Sequence, residues 1–175
     1  MSDKREKILK AALELFSVNG FSATSTSRIA KQAGVSEGLI FRHYGNKDGL
    51  LQAILEKGEE QAKIIFSDIV FEADPKEVIR KTLRLGDKML ATKESADFWK
   101  LQYKIKWEIE HYSDQKMEPL EHALSRAFKK LEYKNPEAEA EVLLSGLDGI
   151  ATRFFLQKDV NIKAMVNDLF EKYNL

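Results

Sequence analysis

The chain has 175 residues, of which 43% are hydrophobic, enough to bury a substantial core in one or two small domains. It contains no cysteine, which excludes a disulfide framework, a thiolate zinc site and a cysteine nucleophile. Its first residues are polar and no apolar run approaches the roughly 20 residues of a membrane span. We therefore expect a soluble, cytoplasmic protein without a secretory signal or a membrane partner.

Charge is unevenly distributed along the chain, although the formal net charge is zero. Residues 1–47 hold eight cationic and four anionic side chains, a net charge of +4, and the remainder therefore carries −4. A positive end on an acidic body can approach phosphates while the body stays away from them. Chance segregation produces such an imbalance too, so the charge by itself does not establish nucleic-acid binding.

Hydrophobic periodicity and capping residues predict an all-α fold of about nine helices. In chain order we predict helices over roughly residues 3–18, 25–33, 37–44, 47–70, 75–91, 96–112, 117–132, 136–156 and 161–173. Several starts carry specific signals, such as Asp74 and Pro75 before the fifth helix. Thr24 or Ser25 is expected to cap the second helix, and Ser36 the third.

The two shortest predicted helices lie within residues 20–47. A turn containing Gly34 separates them, and Gly45 breaks the chain after the second. Two short helices joined in this way are typical of a helix-turn-helix, in which the second helix enters the DNA major groove. This segment is the most specific functional signal in the chain.

The same segment resembles the amino-terminal signature of the TetR family of transcriptional regulators. The matching residues are Ile8 to Phe16, Gly20, Phe21, Thr24, Ile29, Ala30, Ala33, Gly34, Val35, Ser36, Gly38, Tyr44, Lys47, Leu50 and Leu51. The resemblance implies a helix-turn-helix DNA-binding domain over residues 1–47 and a helical effector-binding and dimerisation domain over residues 48–175. It further implies a homodimeric repressor, without enzymatic activity or cofactor, that a small-molecule effector releases from a palindromic double-stranded DNA operator.

The resemblance also implies which residues contact DNA. Positions that usually touch phosphates in the family match Thr26, Ser36, Phe41, His43 and Lys47. Positions nearest the bases match Ser27, Glu37, Gly38, Leu39 and Arg42.

Two of these residues have a physical interpretation of their own. The Arg42 guanidinium can pair bidentately with guanine, although a phosphate contact or a solvated surface position is the alternative. Lys47 begins a helix, where its charge and the free N–H groups can hold a phosphate together, but it is alternatively an ordinary surface lysine.

Two other residues depart from the family pattern. Phe41 stands where the family most often has tyrosine, so a phosphate-bonding hydroxyl is missing. Glu37 stands where lysine or another non-acidic residue is common in the family. Its anion either weakens non-specific affinity for phosphates or accepts a hydrogen bond from a cytosine amino group.

The last two predicted helices are expected to form a homodimer interface. Gly146 and Gly149 each cost a helix roughly 1 kcal/mol relative to alanine, which favours a second helix packing closely there. The stretch 146–151 also resembles the family's penultimate helix. The alternative is a wholly intramolecular core. The predicted interface residues are Leu143, Gly146, Leu147, Gly149, Ile150, Phe154, Ile162, Met165, Val166, Leu169 and Phe170.

Aromatic residues concentrate between positions 66 and 128, in the helices that enclose the effector pocket of the family. An aromatic-lined cavity suits a flat or apolar ligand, whereas a plain hydrophobic core is the alternative for each residue. The predicted pocket residues are Phe66, Phe98, Tyr103, Trp107 and His111.

Two competing functions remain at this stage. Glu108 and His111 form a Glu-x-x-His motif, as in di-iron carboxylate bundles, but a second copy is missing because Pro119 stands three residues before His122. A helical metal-binding protein using Glu108, His111 and His122 is therefore a weak alternative, and we predict no metal site. The second alternative is an adaptor that uses the helix-turn-helix for protein contacts.

Overall fold

The computed structural model describes residues 2–108, 117–157 and 159–175. These residues contain ten helices and no strand, which confirms the all-α prediction. The helices are α1 Ser2–Asn19, α2 Thr26–Ala33, α3 Glu37–Tyr44, α4 Lys47–Val70, α5 Pro75–Leu83, α6 Leu85–Met89, α7 Lys93–Glu108, α8 Glu118–Lys130, α9 Pro136–Leu156 and α10 Ile162–Lys172. Within the described ranges, no helix combines the length and apolarity that crossing a bilayer requires.

The predicted helix over residues 75–91 is two helices in the structure. Arg84 lies between them with φ −90° and ψ 6°, and its N–H donates to the carbonyls of Arg80 and Thr82. This tightened turn ends α5, and α6 begins at the next residue, Leu85. The hydrophobic pattern crosses the turn without interruption because Leu83 and Leu85 are both buried, so the break is absent from the periodicity.

Side-chain caps determine where several helices begin. The Ser25 hydroxyl accepts a hydrogen bond from the N–H of Arg28 at the start of α2, so Ser25 rather than Thr24 is the cap. Asp74 accepts from two N–H groups at the start of α5. The Asn46 side chain accepts from the N–H of Gly49 at the start of α4. Each cap satisfies a backbone donor that has no partner inside its helix.

Among the described residues, 2–62 and 89–108 form one compact unit, called here the first unit. Its core is built from the apolar faces of α1, α2, α3, α7 and the first part of α4. The fully buried side chains of this core are Ile8, Ala12, Phe16, Ile29, Ile40, Leu50, Leu101 and Ile105. The predicted helix-turn-helix therefore shares one core with α7, which lies much later in the chain.

Among the described residues, 63–88, 117–157 and 159–175 form the second compact unit. Val78, Leu120, Leu124 and Phe128 are among the buried residues of its α5 and α8. Tyr173, at the end of α10, packs on the Phe128 ring and donates a 2.8 Å hydrogen bond to the Glu139 carboxylate. Burial and this hydrogen bond raise the pKa of Tyr173 to about 12.

Helix α4 belongs to both units, with residues 47–62 in the first and residues 63–70 in the second. The predicted division into residues 1–47 and 48–175 concerns function rather than packing, and it stays a prediction.

Gly58 lies in the middle of α4, where a glycine weakens the helix. A Cβ atom at this position would overlap the ring of Phe98 on α7. Phe98 is only 6% exposed, so its ring cannot move into solvent without losing its place in the core. The glycine thus permits a close approach between α4 and α7.

We expect Gly58→Ala to lower the free energy of unfolding by about 1–3 kcal/mol, because overpacking outweighs the roughly 1 kcal/mol gained in helix propensity. Urea denaturation followed by circular dichroism measures the change. Gly86→Ala is the matched control, since a Cβ at this exposed helical position meets nothing within 4 Å. A Gly58→Ala protein as stable as the control would contradict the packing role.

Candidate nucleic-acid interface

The turn between α2 and α3 is set by Gly34. Its φ of 65° and ψ of 39° are left-handed, a conformation that strains other L-residues, and its N–H donates to the carbonyls of Ala30 and Lys31. The N–H of Val35 also returns to the Ala30 carbonyl, at 3.0 Å. These bonds close α2 and direct the chain into α3 after only Val35 and Ser36.

Ile40 anchors α3 to the first unit as its one fully buried residue. Leu39 and Tyr44 pack partly buried against the same core. The Tyr44 hydroxyl donates a 3.2 Å hydrogen bond to the carbonyl of Arg5 on α1. The opposite face of α3 is exposed.

All ten predicted DNA-contact residues keep accessible surface. Those that are exposed are Ser27, Ser36, Gly38, Phe41 and Arg42. Those that are half-buried are Thr26, Glu37, Leu39, His43 and Lys47.

Arg42 and Gly38 lie one turn apart on α3, on the same face. The Arg42 guanidinium makes no hydrogen bond or ion pair with any residue in the described ranges. A Cβ at residue 38 would meet nothing within 4 Å, so packing does not require glycine there. Phe41, 46% exposed, places an apolar ring beside this face without a hydroxyl.

Ser36 occupies the position before α3, but its hydroxyl makes no capping hydrogen bond. The predicted side-chain cap is therefore wrong. The exposed hydroxyl stays available to an outside acceptor, and the position keeps the extended backbone of a helix start, with φ −75° and ψ 146°.

Glu37 and Thr26 join the first turns of α3 and α2. The Thr26 hydroxyl donates a 2.5 Å hydrogen bond to a Glu37 carboxylate oxygen. An anion in the first turn of a helix is favoured by the helix dipole, so Glu37 is held in place from two directions. The second carboxylate oxygen of Glu37 remains an acceptor at the amino end of α3.

Lys47 makes contacts within the protein, whereas the sequence predicted a phosphate contact or an ordinary surface lysine. Its Nζ donates to the carbonyls of Phe21, at 3.0 Å, and Ser22, at 3.4 Å. The same ammonium lies 4.3 Å from the centre of the Phe21 ring. Two of its three N–H donors are thus used by the loop between α1 and α2, which leaves one for a phosphate.

His43 is paired with Arg5 of α1, whose Nε donates a 3.2 Å hydrogen bond to the Nδ1 atom of the imidazole. Partial burial, together with the positive charges of Arg5 and Arg42, lowers the pKa of His43 below its ordinary value. The free protein therefore holds His43 neutral near pH 7.

Glu108, at the end of α7, is a site residue that sequence reasoning assigned only to the weak metal alternative. Its Oε2 accepts a 3.0 Å hydrogen bond from the N–H of Phe21, and its Oε1 a 2.6 Å bond from the N–H of Ser22. Burial raises the pKa of Glu108, but these N–H donors outweigh it, so the net effect is a lowered pKa. No local sequence pattern reports such a contact, because 86 residues separate Ser22 from Glu108.

The carboxylate of Glu108 is therefore occupied by the backbone, and His111 lies outside the described residues. Within the described ranges, no three histidine, aspartate or glutamate side chains are grouped to hold a metal ion.

The predicted effector-pocket residues are divided between the two units, with Phe98, Tyr103 and Trp107 in the first and Phe66 in the second. Phe98 belongs to the core of the first unit, where it fills the space above Gly58, and its assignment to an effector pocket stays a prediction. Beside it lies a crevice of about 20 Å³, room for about one water molecule. Trp107 is 72% exposed, whereas Tyr103 in the first unit and Phe66 in the second are half-buried. His111 lies outside the described residues.

Leu143 is the one predicted interface residue that the structure removes from the surface. It is 1% exposed and packs inside the second unit, so it has no area to offer a second copy of the chain. The other predicted interface residues all keep accessible surface. Helix α10 has no buried residue, Phe154 is 41% exposed, and Cβ atoms at Gly146 and Gly149 would meet nothing within 4 Å.

Comparison with known proteins finds similarity to regulatory proteins in the amino-terminal part of the chain. Residues 8–54 match the family model described as "Bacterial regulatory proteins, tetR family". The HTH-type transcriptional regulator UidR of Escherichia coli is 39% identical over 64 residues, which is 37% of this chain and 33% of UidR. The chain spans about a third of the length of the curated relatives that it matches first.

Solved structures match over nearly the whole chain. A protein from Saccharomonospora viridis, solved in complex with choline, superposes with a TM-score of 0.79 at 18% identity and covers 98% of this chain and 97% of its own. AibR, solved with isovaleryl coenzyme A and operator DNA, superposes with a TM-score of 0.68 at 18% identity and covers 95% of each chain. At these identities the likeness establishes the fold.

We expect Arg5→Gln to raise the pKa of His43 toward the ordinary histidine value of about 6.5, because it removes a neighbouring positive charge. An NMR titration of the His43 ring protons measures the pKa. Lys7→Gln is the control, since Lys7 lies on the same helix and pairs with Asp3 instead, at 2.8 Å. An unchanged pKa in Arg5→Gln would show that the Arg5 contact is not formed in solution.

Proposed function

Because this chain carries the amino-terminal domain of the tetR family of bacterial regulatory proteins, we propose that it is a DNA-binding transcriptional regulator. In this proposal it is a repressor that a small-molecule effector releases from a palindromic double-stranded operator. The observation that carries the proposal is the exposed face of α3, where Arg42, which pairs with none of the described residues, lies one turn from Gly38. We infer no enzymatic activity, since the family consists of regulatory proteins.

Arg42 is the proposed base-reading residue. With no side chain at Gly38, the backbone of α3 can approach the floor of the major groove, and Arg42 on the same face reaches the base edges. A bidentate arginine–guanine pair is worth roughly 1–3 kcal/mol of discrimination. Glu37, held by Thr26, is an acceptor suited to a cytosine amino group. Ser27 and Leu39 complete the proposed base-side set.

The proposed phosphate contacts flank this face. Ser36 has an exposed hydroxyl that makes no capping hydrogen bond, and Thr26 retains acceptor capacity only, since its proton is donated to Glu37. Lys47 contributes one N–H at the start of α4, and His43 binds a phosphate most strongly when protonated. Phe41 offers an apolar contact in place of a hydroxyl.

We expect Arg42→Ala to relax the preference at one base pair of each half-site, with a loss of about 1–3 kcal/mol on the preferred sequence. Fluorescence anisotropy with duplexes from the region upstream of its own gene, and with single-base variants, measures this. Arg28→Ala is the control, because it removes the same charge from an exposed position on α2 outside the proposed contacts.

If Arg42→Ala and Arg28→Ala keep the same base preferences, Arg42 is not the reading residue. If the unaltered chain binds no palindrome in a salt-dependent way, the regulator proposal itself fails.

We also propose a homodimer through α9 and α10. The supporting observations are the open space over Gly146 and Gly149 and the accessible apolar residues of both helices. A monomer leaves this surface in water, whereas a helix of a second copy can pack closely over residues that have no side chain. The two helix-turn-helix segments of one dimer then bind two operator half-sites together, which raises the affinity for DNA without a new contact.

We expect Gly149→Arg to convert the dimer into a 20.0 kDa monomer, because the added side chain occupies the space of the facing helix. Sedimentation velocity measures the mass. Gly86→Arg, at an open glycine of α6, is the control and should remain dimeric. Dimers that persist in Gly149→Arg would place the interface elsewhere.

The effector is proposed to act through α4, which is continuous from Lys47 to Val70. A ligand that shifts this helix alters the separation of the two α3 helices in a dimer and so their register with successive major grooves. It can do so only to the extent that it binds the DNA-free state more tightly. Tyr103 and Phe66, both half-buried, stay as proposed effector contacts; the choline and acyl coenzyme A complexes are properties of the proteins in which they were solved.

A further inference from the structure

We propose that Glu108 is a positioning residue for DNA recognition, which fixes the loop between α1 and α2 and, through that loop, the start of α4. The inference rests on the proposed DNA-binding function. It concerns residues within the first unit only.

The peptide group between Phe21 and Ser22 lies between an anion and a cation. Its N–H donates to Glu108 at 2.6 Å, and its carbonyl accepts from Lys47 at 3.0 Å. The neighbouring groups repeat the pattern, since the Phe21 N–H also donates to Glu108 and the Ser22 carbonyl also accepts from Lys47. We call this arrangement the loop clamp.

The loop clamp is stronger than two separate surface contacts. Hydrogen bonds to charged groups are roughly twice as strong as those between neutral groups, and bonds in a chain polarise one another. Solvent screens part of this strength because Glu108 is exposed. The opposite charges at the two ends of one peptide dipole nevertheless make the contributions of Glu108 and Lys47 interdependent.

Two neighbouring features are consistent with this role. Gly20 has a φ of +89°, and a Cβ there would lie 3.2 Å from a Glu108 carboxylate oxygen, so glycine leaves room for the carboxylate. One turn before Glu108, Lys104 donates a 2.6 Å hydrogen bond to the carbonyl of Val18. The last turn of α7 thus binds both the carboxyl end of α1 and the loop that follows.

The position of the loop clamp connects it to DNA recognition. The clamped loop leads directly into α2, and Lys47 begins α4 three residues after α3 ends at Tyr44. The segment before α2 and the segment after α3 are therefore both held by the contacts that Glu108 and Lys47 make with the loop. Loss of Glu108 removes the contact between the loop and the end of α7, so that the loop, its partner Lys47 and consequently α3 are less well oriented.

The sign of the effect distinguishes positioning from simple charge. An anion that only repels phosphates lowers DNA affinity, so removing such an anion near the helix-turn-helix should strengthen DNA binding. The carboxylate oxygens of Glu108 instead accept hydrogen bonds from the loop between α1 and α2. Removing a positioning residue should weaken DNA binding. The salt dependence should stay unchanged, because no phosphate contact is removed.

The test compares Glu108→Gln with Glu94→Gln in the full chain, using the upstream duplex over a range of salt concentrations. Glu94 lies on the same helix and forms a 2.9 Å surface ion pair with Lys57, so its substitution removes the same charge. We expect Glu108→Gln to bind roughly fivefold to tenfold more weakly with the same salt slope, and Glu94→Gln to bind as well as or better than the unaltered chain.

Equal or tighter binding by Glu108→Gln overturns the inference. Failure of the unaltered chain to bind any palindrome instead overturns the proposed function, so the two failures are distinct. If Glu108→Gln is unfolded at the assay temperature, Glu108→Asp supplies the test, because its shorter carboxylate keeps the charge but not both hydrogen bonds. Affinity between those of the unaltered chain and a non-binding protein supports positioning, and unaltered affinity overturns it.

Discussion

The burial of Ile40 in the core of the first unit is the interaction on which α3 depends. Isolated helices shorter than about 12–15 residues are marginal in water, and α3 has only eight residues. Its geometry therefore comes from what it packs against, namely the core that it shares with α1, α2, α4 and α7. Because one face is anchored in the core, a short helix can present Gly38 and Arg42 on its exposed face.

Charge acts in the first unit mainly by positioning backbone rather than by total amount. Of the eight cations in residues 1–47, Lys47 is bound to loop carbonyls, Arg5 to His43 and Lys7 to Asp3. These three cationic side chains are therefore held by contacts within the first unit. In the proposed function, discrimination between sequences rests on the geometry of a few side chains on α3.

Local signals predicted the helices and most of their ends, because capping and periodicity operate over a few residues. Asp74 illustrates this, with a cap that appears where its sequence pattern places it. Contacts between distant segments were not predictable. The role of Phe98 depends on Gly58, the role of Lys47 on Phe21, and the role of Glu108 on Ser22, and no spacing rule links such pairs. Leu143 shows the same limit, since one periodic face of α9 supplies both a core and a surface.

Glycine marks three different requirements in this chain, and only structure separates them. Gly34 supplies a left-handed turn, and Gly58 admits an aromatic ring, so both are explained within one protomer. Gly146 and Gly149 lie in a regular helix, and no atom of the described residues lies within 4 Å of a Cβ built at either position, so no packing contact among those residues offsets their cost to α9. Glycines that weaken a helix without serving its own packing are consistent with a contact to a second copy of the chain. The accessible apolar surface of α10 extends the face of α9 that carries them. The same reasoning applies to Gly38, whose empty surroundings on α3 leave the backbone open to an external partner.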